Sequence, residues 1–160
     1  MSDTPLISTD GLSVTFRINA GAFKKFDLKA VEGISIDIPK GSFFGIVGES
    51  GSGKTTLGRA LLKAVDISGG TATYDDGEVE YDIASLTGAD LTEYRKHAQL
   101  IFQDPYAALS PRMTVRDIIA EPLEVMKITS SRAETDERVR EIADKCRLNL
   151  EHLRRFPHAF

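Results

Sequence analysis

The chain has 160 residues, of which 41% are hydrophobic and 28% are charged, and these globular values exclude a disordered chain. The formal net charge of −4 gives no support for a broad nucleic-acid interface, so we expect no nucleic-acid partner. Cys146 is the only cysteine, which excludes an intrachain disulfide and favours a reducing compartment.

Two alternating stretches near the N-terminus predict half-buried strands. Apolar and polar residues alternate over residues 12–18 and again over residues 34–38, and the second stretch ends at the turn signal Pro39-Lys40-Gly41. The apolar run at residues 43–47 then predicts a fully buried strand. The N-terminal part is therefore expected to be rich in β-structure.

Alternating helical and strand patterns follow. Apolar residues between positions 57 and 65 share one face of a predicted helix. Residues 71–83 predict a hairpin that turns at Asp76-Gly77, and residues 98–103 predict another buried strand. From Thr114 onwards the period is helical, with apolar faces over residues 115–126 and 139–146. This order predicts an α/β region followed by an all-helical one.

The stretch "GESGSGKTT" fits the pattern G-x-x-x-x-G-K-[ST] of a phosphate-binding loop. Its glycines let consecutive N–H groups point at phosphate oxygens, and the dipole of the following helix adds to the attraction. The lysine would reach the β- and γ-phosphates and the next hydroxyl would help to hold Mg²⁺, so the pattern predicts binding of ATP with Mg²⁺. The candidate residues are Gly48, Glu49, Ser50, Gly51, Ser52, Gly53, Lys54, Thr55 and Thr56. A dinucleotide loop is excluded, because its third glycine would fall on Thr56.

A second landmark, "LIFQDPYAALSPRMTV" at residues 100–115, resembles the region around the conserved glutamine loop of ATP-binding cassette (ABC) ATPases. Together with "KAVEGISIDIPKGSFFGIVGESGSGKTTLGRALL" it is similar to the branch that serves oligopeptide, dipeptide and nickel importers. The resemblance runs from about residue 12 to residue 160. It implies the N-terminal part of an ABC-type nucleotide-binding domain: an antiparallel β subdomain and a partial RecA-like P-loop core over residues 1–104, and a partial α-helical subdomain over residues 105–160.

The resemblance also assigns roles to individual residues. Gln103 would be the nucleotide sensor that reaches Mg²⁺ and the attacking water, so the implied catalytic residues are Gln103 and Lys54, and the implied metal ligands are Thr55 and Gln103. An aromatic residue before "KAVEG" would stack on adenine. Phe26 is the first choice and Phe23 the alternative, and simple packing is an equally good interpretation of both.

Partners and location follow from the same resemblance. The function implied is the ATP-binding component of an ABC importer for peptides, which couples ATP binding and hydrolysis to transport. The implied partners are a second ATPase subunit and membrane permease subunits. The implied location is cytoplasmic, peripheral on the inner face of the cell membrane.

Two other functions remain open on the residues alone: a non-hydrolysing nucleotide-binding or interaction domain, and another P-loop NTPase. A GTPase is disfavoured, because neither Asn19 nor Asn149 supplies the base-reading pattern N-K-x-D. The family's signature LSGGQ and its catalytic glutamate would follow "FPHAF" and are not among these 160 residues. We therefore expect the intact protein to be an ABC-type ATPase and these 160 residues alone to be inactive.

Overall fold

The computed structural model describes residues 4–19, 25–104 and 108–160. The chain divides into two compact units, residues 1–100 and residues 101–160. The sequence placed this boundary four residues later, between 104 and 105. In the described parts of the chain, none of the helices has the length and apolar character needed to cross a membrane.

The first unit is built on a four-stranded antiparallel sheet. Its strands are β1 (Ile7–Asn19), β2 (Lys25–Ile38), β3 (Gly69–Asp75) and β4 (Glu80–Asp82). Their order in space is β2-β1-β3-β4, so the long β1 pairs with both β2 and β3. The strands predicted over residues 12–18 and 34–38 are confirmed, and both are longer than predicted.

The hairpin predicted over residues 71–83 is confirmed by the pairing of β3 with β4. Gly77 turns the chain with a φ of 87°, which is costly for a side chain with a Cβ. The Asp76 carboxylate accepts hydrogen bonds of 2.9 Å from the backbone N–H groups of Val79 and Glu78. These bonds stabilise the charged form and lower the pKa of Asp76 below its usual value.

Two helices contribute buried side chains to the same core as the sheet of the first unit. Helix α1 (Lys54–Leu61) buries Leu57, Ala60 and Leu61, and it ends before the predicted face residues Ala64 and Val65. Helix α2 (Gly88–His97) was not predicted, because it has few apolar residues to reveal a helical period. Its Tyr94 is fully buried and donates a hydrogen bond to the backbone oxygen of Leu61, and burial raises the pKa of this phenol.

The prediction of buried strands at residues 43–47 and 98–103 is wrong. Both stretches lack regular secondary structure, and the side chains of Val47 and Ile101 are 92% and 93% exposed. A strand needs a neighbour to pair with its backbone N–H and C=O groups. Within the described residues, the sheet contains β1 to β4 and neither of these stretches. Apolar character alone therefore does not make them strands.

The second unit is helical, as predicted from Thr114 onwards. Helices α3 (Val115–Val125) and α4 (Arg132–Lys145) are followed by two short 3₁₀ helices, Leu150–Arg154 and Pro157–Ala159. The core of this unit consists of small and branched apolar side chains from these elements, namely Ala120, Leu123, Val139, Ala143 and Leu153.

Side chains fix where both long helices of the second unit begin. The Thr114 hydroxyl accepts a hydrogen bond from the Asp117 N–H at 3.2 Å, and Ser131 does the same for Glu134 at 3.3 Å. Each bond satisfies an N–H group that has no partner within the helix. Glu134 also accepts from the Ser130 N–H at 2.7 Å, so the start of α4 is stabilised from both directions.

Candidate phosphate-binding site

Residues 48–53 form a tight loop that leads into α1, and residues 54–56 of the motif form the first turn of this helix. Gly51 and Gly53 have φ values of 82° and 89°, in the left-handed region that favours glycine. The Ser52 N–H donates to the Glu49 oxygen at 3.2 Å, which closes the curl of the backbone. The glycines at these positions therefore have the conformational role that the sequence pattern predicted.

Gly53 fits closely against the sheet. A Cβ on this residue would overlap the backbone oxygen of Ala30 in β2, and its left-handed φ adds strain for any other residue. A Cβ on Gly48 would lie 2.7 Å from the Ser52 Oγ, which is also too close. The loop is therefore positioned by β2 through Ala30, a residue that the sequence motif does not reveal.

Lys54 folds back over the loop that precedes it. Its Nζ donates hydrogen bonds to the backbone oxygens of Gly48 at 2.9 Å and Glu49 at 2.6 Å, and to the Ser52 Oγ at 3.4 Å. The positive charge is thus held beside the curled backbone, where an anion bound in the loop would meet it. The contact with Ser52 gives this hydroxyl a positioning role that the motif alone does not predict.

The N-terminal end of α1 is open to an anionic ligand. Gly53 is its N-cap, no side chain caps the helix, and the first turn contains no acidic residue. The free N–H groups and the positive end of the helix dipole would both attract phosphate oxygens. Thr55 is exposed in the first turn, and within the described residues its hydroxyl makes no hydrogen bond. This arrangement fits a phosphate chain with a hydrated Mg²⁺ ion.

The remaining predicted site residues belong to other segments of the chain than this loop. Phe26 is in β2, opposite Ile18 of β1, and its side chain is 49% exposed. Phe23, the alternative, lies outside the described residues. Gln103 belongs to the second unit, where it occupies an exposed bend at the end of the stretch 98–103. The roles of Phe26 and Gln103 remain predictions.

The sequence model of the ABC transporter family matches residues 31–159, which include the whole loop and Gln103. The chain belongs to the ABC transporter family. Phe26 precedes the range matched to this family, so the match does not bear on its role. The resemblance on which the sequence analysis relied is therefore confirmed at the level of the family.

Curated members of the ABC family are similar over almost the whole chain. The oligopeptide transport ATP-binding protein OppF of Streptococcus mutans is 46% identical over 158 residues, which are 97% of this chain and 48% of that protein. The dipeptide transport ATP-binding protein DppF of Lactococcus lactis subsp. cremoris is 46% identical over 157 residues, with the same two shares. The chain thus spans about half the length of these relatives.

Solved structures of ABC cassettes share the fold. A dimeric post-hydrolysis state of the ATP-binding cassette MJ0796, bound to ADP and Pi, superposes with a TM-score of 0.73 at 20% sequence identity. The match covers 96% of this chain and 62% of that chain. The predicted fold class, the N-terminal part of an ABC-type nucleotide-binding domain, is confirmed.

Proposed function

We propose that this chain is the N-terminal part of the ATP-binding component of an ABC importer for peptides. The observation that carries the proposal is the loop at residues 48–56, with Gly53 fitted against β2 and the Lys54 ammonium held over the curled backbone. The names of the two curated relatives support peptides as the substrate class. In this function, binding and hydrolysis of ATP drive transport through permease subunits.

The loop supplies the contacts for ATP. Its N–H groups and the start of α1 would hold the phosphate chain, and Lys54 would exchange contacts with loop oxygens for contacts with the β- and γ-phosphates. Thr55 and Gln103 would hold Mg²⁺, which neutralises charge on the phosphates when bound. Phe26 would stack on the adenine ring, which its half-exposed side chain permits.

Titration of the chain with ATP and Mg²⁺ by calorimetry, followed by a phosphate-release assay, tests this function. The same assays are applied to a fusion of this chain with the remaining half of the Streptococcus mutans relative. Binding by both proteins with hydrolysis only in the fusion supports an ABC ATPase. Binding without hydrolysis in both favours the alternative of a non-hydrolysing nucleotide-binding domain, and absence of binding in both refutes the proposal.

The 160 residues alone are expected to release no phosphate from ATP at a rate typical of enzymes. Hydrolysis requires an oriented water and stabilisation of charge from several sides, and the loop provides only the phosphate and Mg²⁺ contacts. The exposed apolar stretch at residues 43–47, which leads directly into the loop, also favours association between chains. Turnover by the purified chain that disappears in Lys54→Ala would contradict this expectation.

Gln103→Ala in the fusion is expected to leave ATP affinity within about twofold of wild type and to lower kcat by about tenfold or more. The reason is that a sensor contacting Mg²⁺ and the attacking water acts on the chemical step more than on binding. Gln99→Ala, which removes a similar exposed amide four residues earlier, is the control. Equal kcat in the Gln103 variant and in wild type would remove Gln103 from the mechanism.

The second unit is proposed to dock on a permease subunit, and the complex is proposed to contain a second ATPase subunit on the inner face of the cell membrane. Helical docking of this kind predicts cross-links from a cysteine at exposed position 112 to a co-expressed permease of the peptide-import type. Position 107 is a further candidate and lies outside the described residues. A cysteine at exposed position 145 is the control. An assembled complex without cross-links from 112 would contradict this docking site.

A further inference from the structure

A polar groove of about 890 Å³ lies in the second unit, and its lining contains no residue of the phosphate loop motif. It is formed by α3, α4 and the 3₁₀ helix Leu150–Arg154. Four arginines line it, Arg116, Arg132, Arg140 and Arg154, together with only two carboxylates, Asp136 and Glu151. In a chain with a net charge of −4, this groove is a local concentration of positive charge.

One of the four arginines is already neutralised. The Arg116 Nη2 and Nε donate to Asp136 Oδ1 at 2.6 and 2.9 Å, and its Nη1 donates to Asp117 Oδ1 at 3.1 Å. These bonds use both nearby aspartates and connect α3 with α4. Arg116 therefore has a structural role at the base of the groove.

The guanidinium groups of Arg132, Arg140 and Arg154 are exposed, and nothing in the described parts of the chain forms a hydrogen bond or salt bridge with them. The hydrogen bond from Arg116 lowers the pKa of Asp136 most, and the charges of Arg132 and Arg140 lower it further. Both groups therefore lie close enough to act on the same carboxylate. Two positive charges without direct partners thus act on a carboxylate that is already paired, and Arg154 adds a third positive charge to the groove lining.

The groove also has an apolar component. Val139 and Leu153 are buried beneath it, and the Leu150 side chain on its wall is 49% exposed. A concave site with apolar walls and a few converging charged groups suits a small amphiphilic molecule better than an extended polyanion. Guanidinium forks match the oxygens of a phosphate group, which can accept several parallel hydrogen bonds.

We propose that this groove binds an organic phosphate, whose phosphate group is held by Arg132, Arg140 and Arg154 and whose apolar part lies against Leu150. Two kinds of ligand carry such a phosphate ester: a soluble molecule and the headgroup of an anionic phospholipid. The residues that line the groove are not those of the phosphate loop, so the proposal does not depend on the function proposed above.

The test uses the 160-residue chain carrying Lys54→Ala, which removes the lysine of the other phosphate site. Binding is measured at low ionic strength with glycerol 3-phosphate, and separately with phosphatidylcholine vesicles that contain phosphatidylglycerol. The double variant Arg132→Gln/Arg140→Gln is expected to bind either probe about tenfold or more weakly than the parent chain, because each substitution removes a charge-assisted contact with the phosphate group. The control Arg138→Gln lies on the same helix outside the groove, paired with Glu141 at 2.9 Å, and should stay within about twofold.

The double variant is replaced by a second pair of variants if its circular-dichroism spectrum shows that it does not fold. Arg154→Gln removes a groove arginine, whereas Arg155→Gln removes its exposed neighbour, which does not line the groove. Binding of the soluble ester that falls only in groove variants supports the proposal with a soluble ligand. Binding of the vesicles but not of the soluble ester, again reduced only in groove variants, supports the proposal with a phospholipid as the ligand. Absence of binding to both probes, or equal losses in groove and control variants, overturns it.

Discussion

Lys54→Ala is expected to weaken the binding of ATP with Mg²⁺ by about ten- to a hundredfold. The lysine would make charge-assisted contacts with the phosphates, and contacts of this type contribute roughly 1.5–3 kcal/mol. Its Nζ already lies within hydrogen-bonding distance of the loop oxygens of Gly48 and Glu49, so the charge is in place before a phosphate enters. Calorimetric titration of both proteins gives the two dissociation constants.

Arg59→Ala is the matched control for this variant. Arg59 also lies on α1, but at its C-terminal end, and its side chain is exposed. The control should bind ATP as wild type does, whereas a general effect of positive charge would weaken both variants alike. Equal affinities in wild type and Lys54→Ala would refute the assignment of the loop.

Gly53→Ala is expected to abolish measurable ATP binding and to lower the free energy of unfolding by at least about 1–3 kcal/mol, the typical cost of a strained backbone. The φ of 89° is unfavourable for alanine, and the new Cβ would overlap the Ala30 oxygen in β2. The loop would have to move away from β2 or unwind, and either change removes the curled backbone that points the N–H groups at the phosphate oxygens. Thermal denaturation and ATP titration measure the two effects.

Gly58→Ala provides the control on the same helix. A Cβ on Gly58 would meet no atom within 4 Å, and the residue lies within α1. Alanine has the higher helix propensity, so this variant is expected to keep ATP binding and to gain up to about 1 kcal/mol of stability. If Gly53→Ala is as stable as wild type and binds ATP normally, the close approach to β2 has no functional importance.

Local signals predicted most of the fold. The alternation in β1 and β2, the turn at Asp76-Gly77 and the helical period after Thr114 each reflect interactions between residues near one another in the sequence. In the second unit, the capping residues Thr114 and Ser131 reinforce the same signal. Elements of this kind are predictable because their patterns specify both the structure and the buried face.

The stretches at residues 43–47 and 98–103 could not be predicted in this way. Their apolar composition indicates a preference for burial, but strand formation depends on a paired neighbour, and the composition of a single segment does not reveal whether one exists. Helix α2 was missed because its sequence has too few apolar residues to show a helical pattern. Tyr94 is its one fully buried residue, and a single buried position leaves no apolar period to detect.

The sequence predicted which residues form the phosphate loop, but not the contact with β2 that positions it. The order of glycines, Lys54 and Thr55 is readable because the chemistry requires those residue types at fixed spacing. The approach of Gly53 to Ala30 joins residues 23 positions apart, and it becomes visible only in the folded chain. The same is true of the groove arginines, which come from three separate helical segments.

The central claim is that residues 48–56 bind the phosphates of ATP, and backbone amide NMR of the ¹⁵N-labelled chain tests it most directly. On addition of ATP with Mg²⁺, the largest chemical-shift changes are expected at the amides of Gly51, Gly53, Lys54 and Thr55, and they should disappear in the Lys54→Ala chain at the same ligand concentration. Saturable binding of ATP that leaves these amide signals unchanged would contradict the claim.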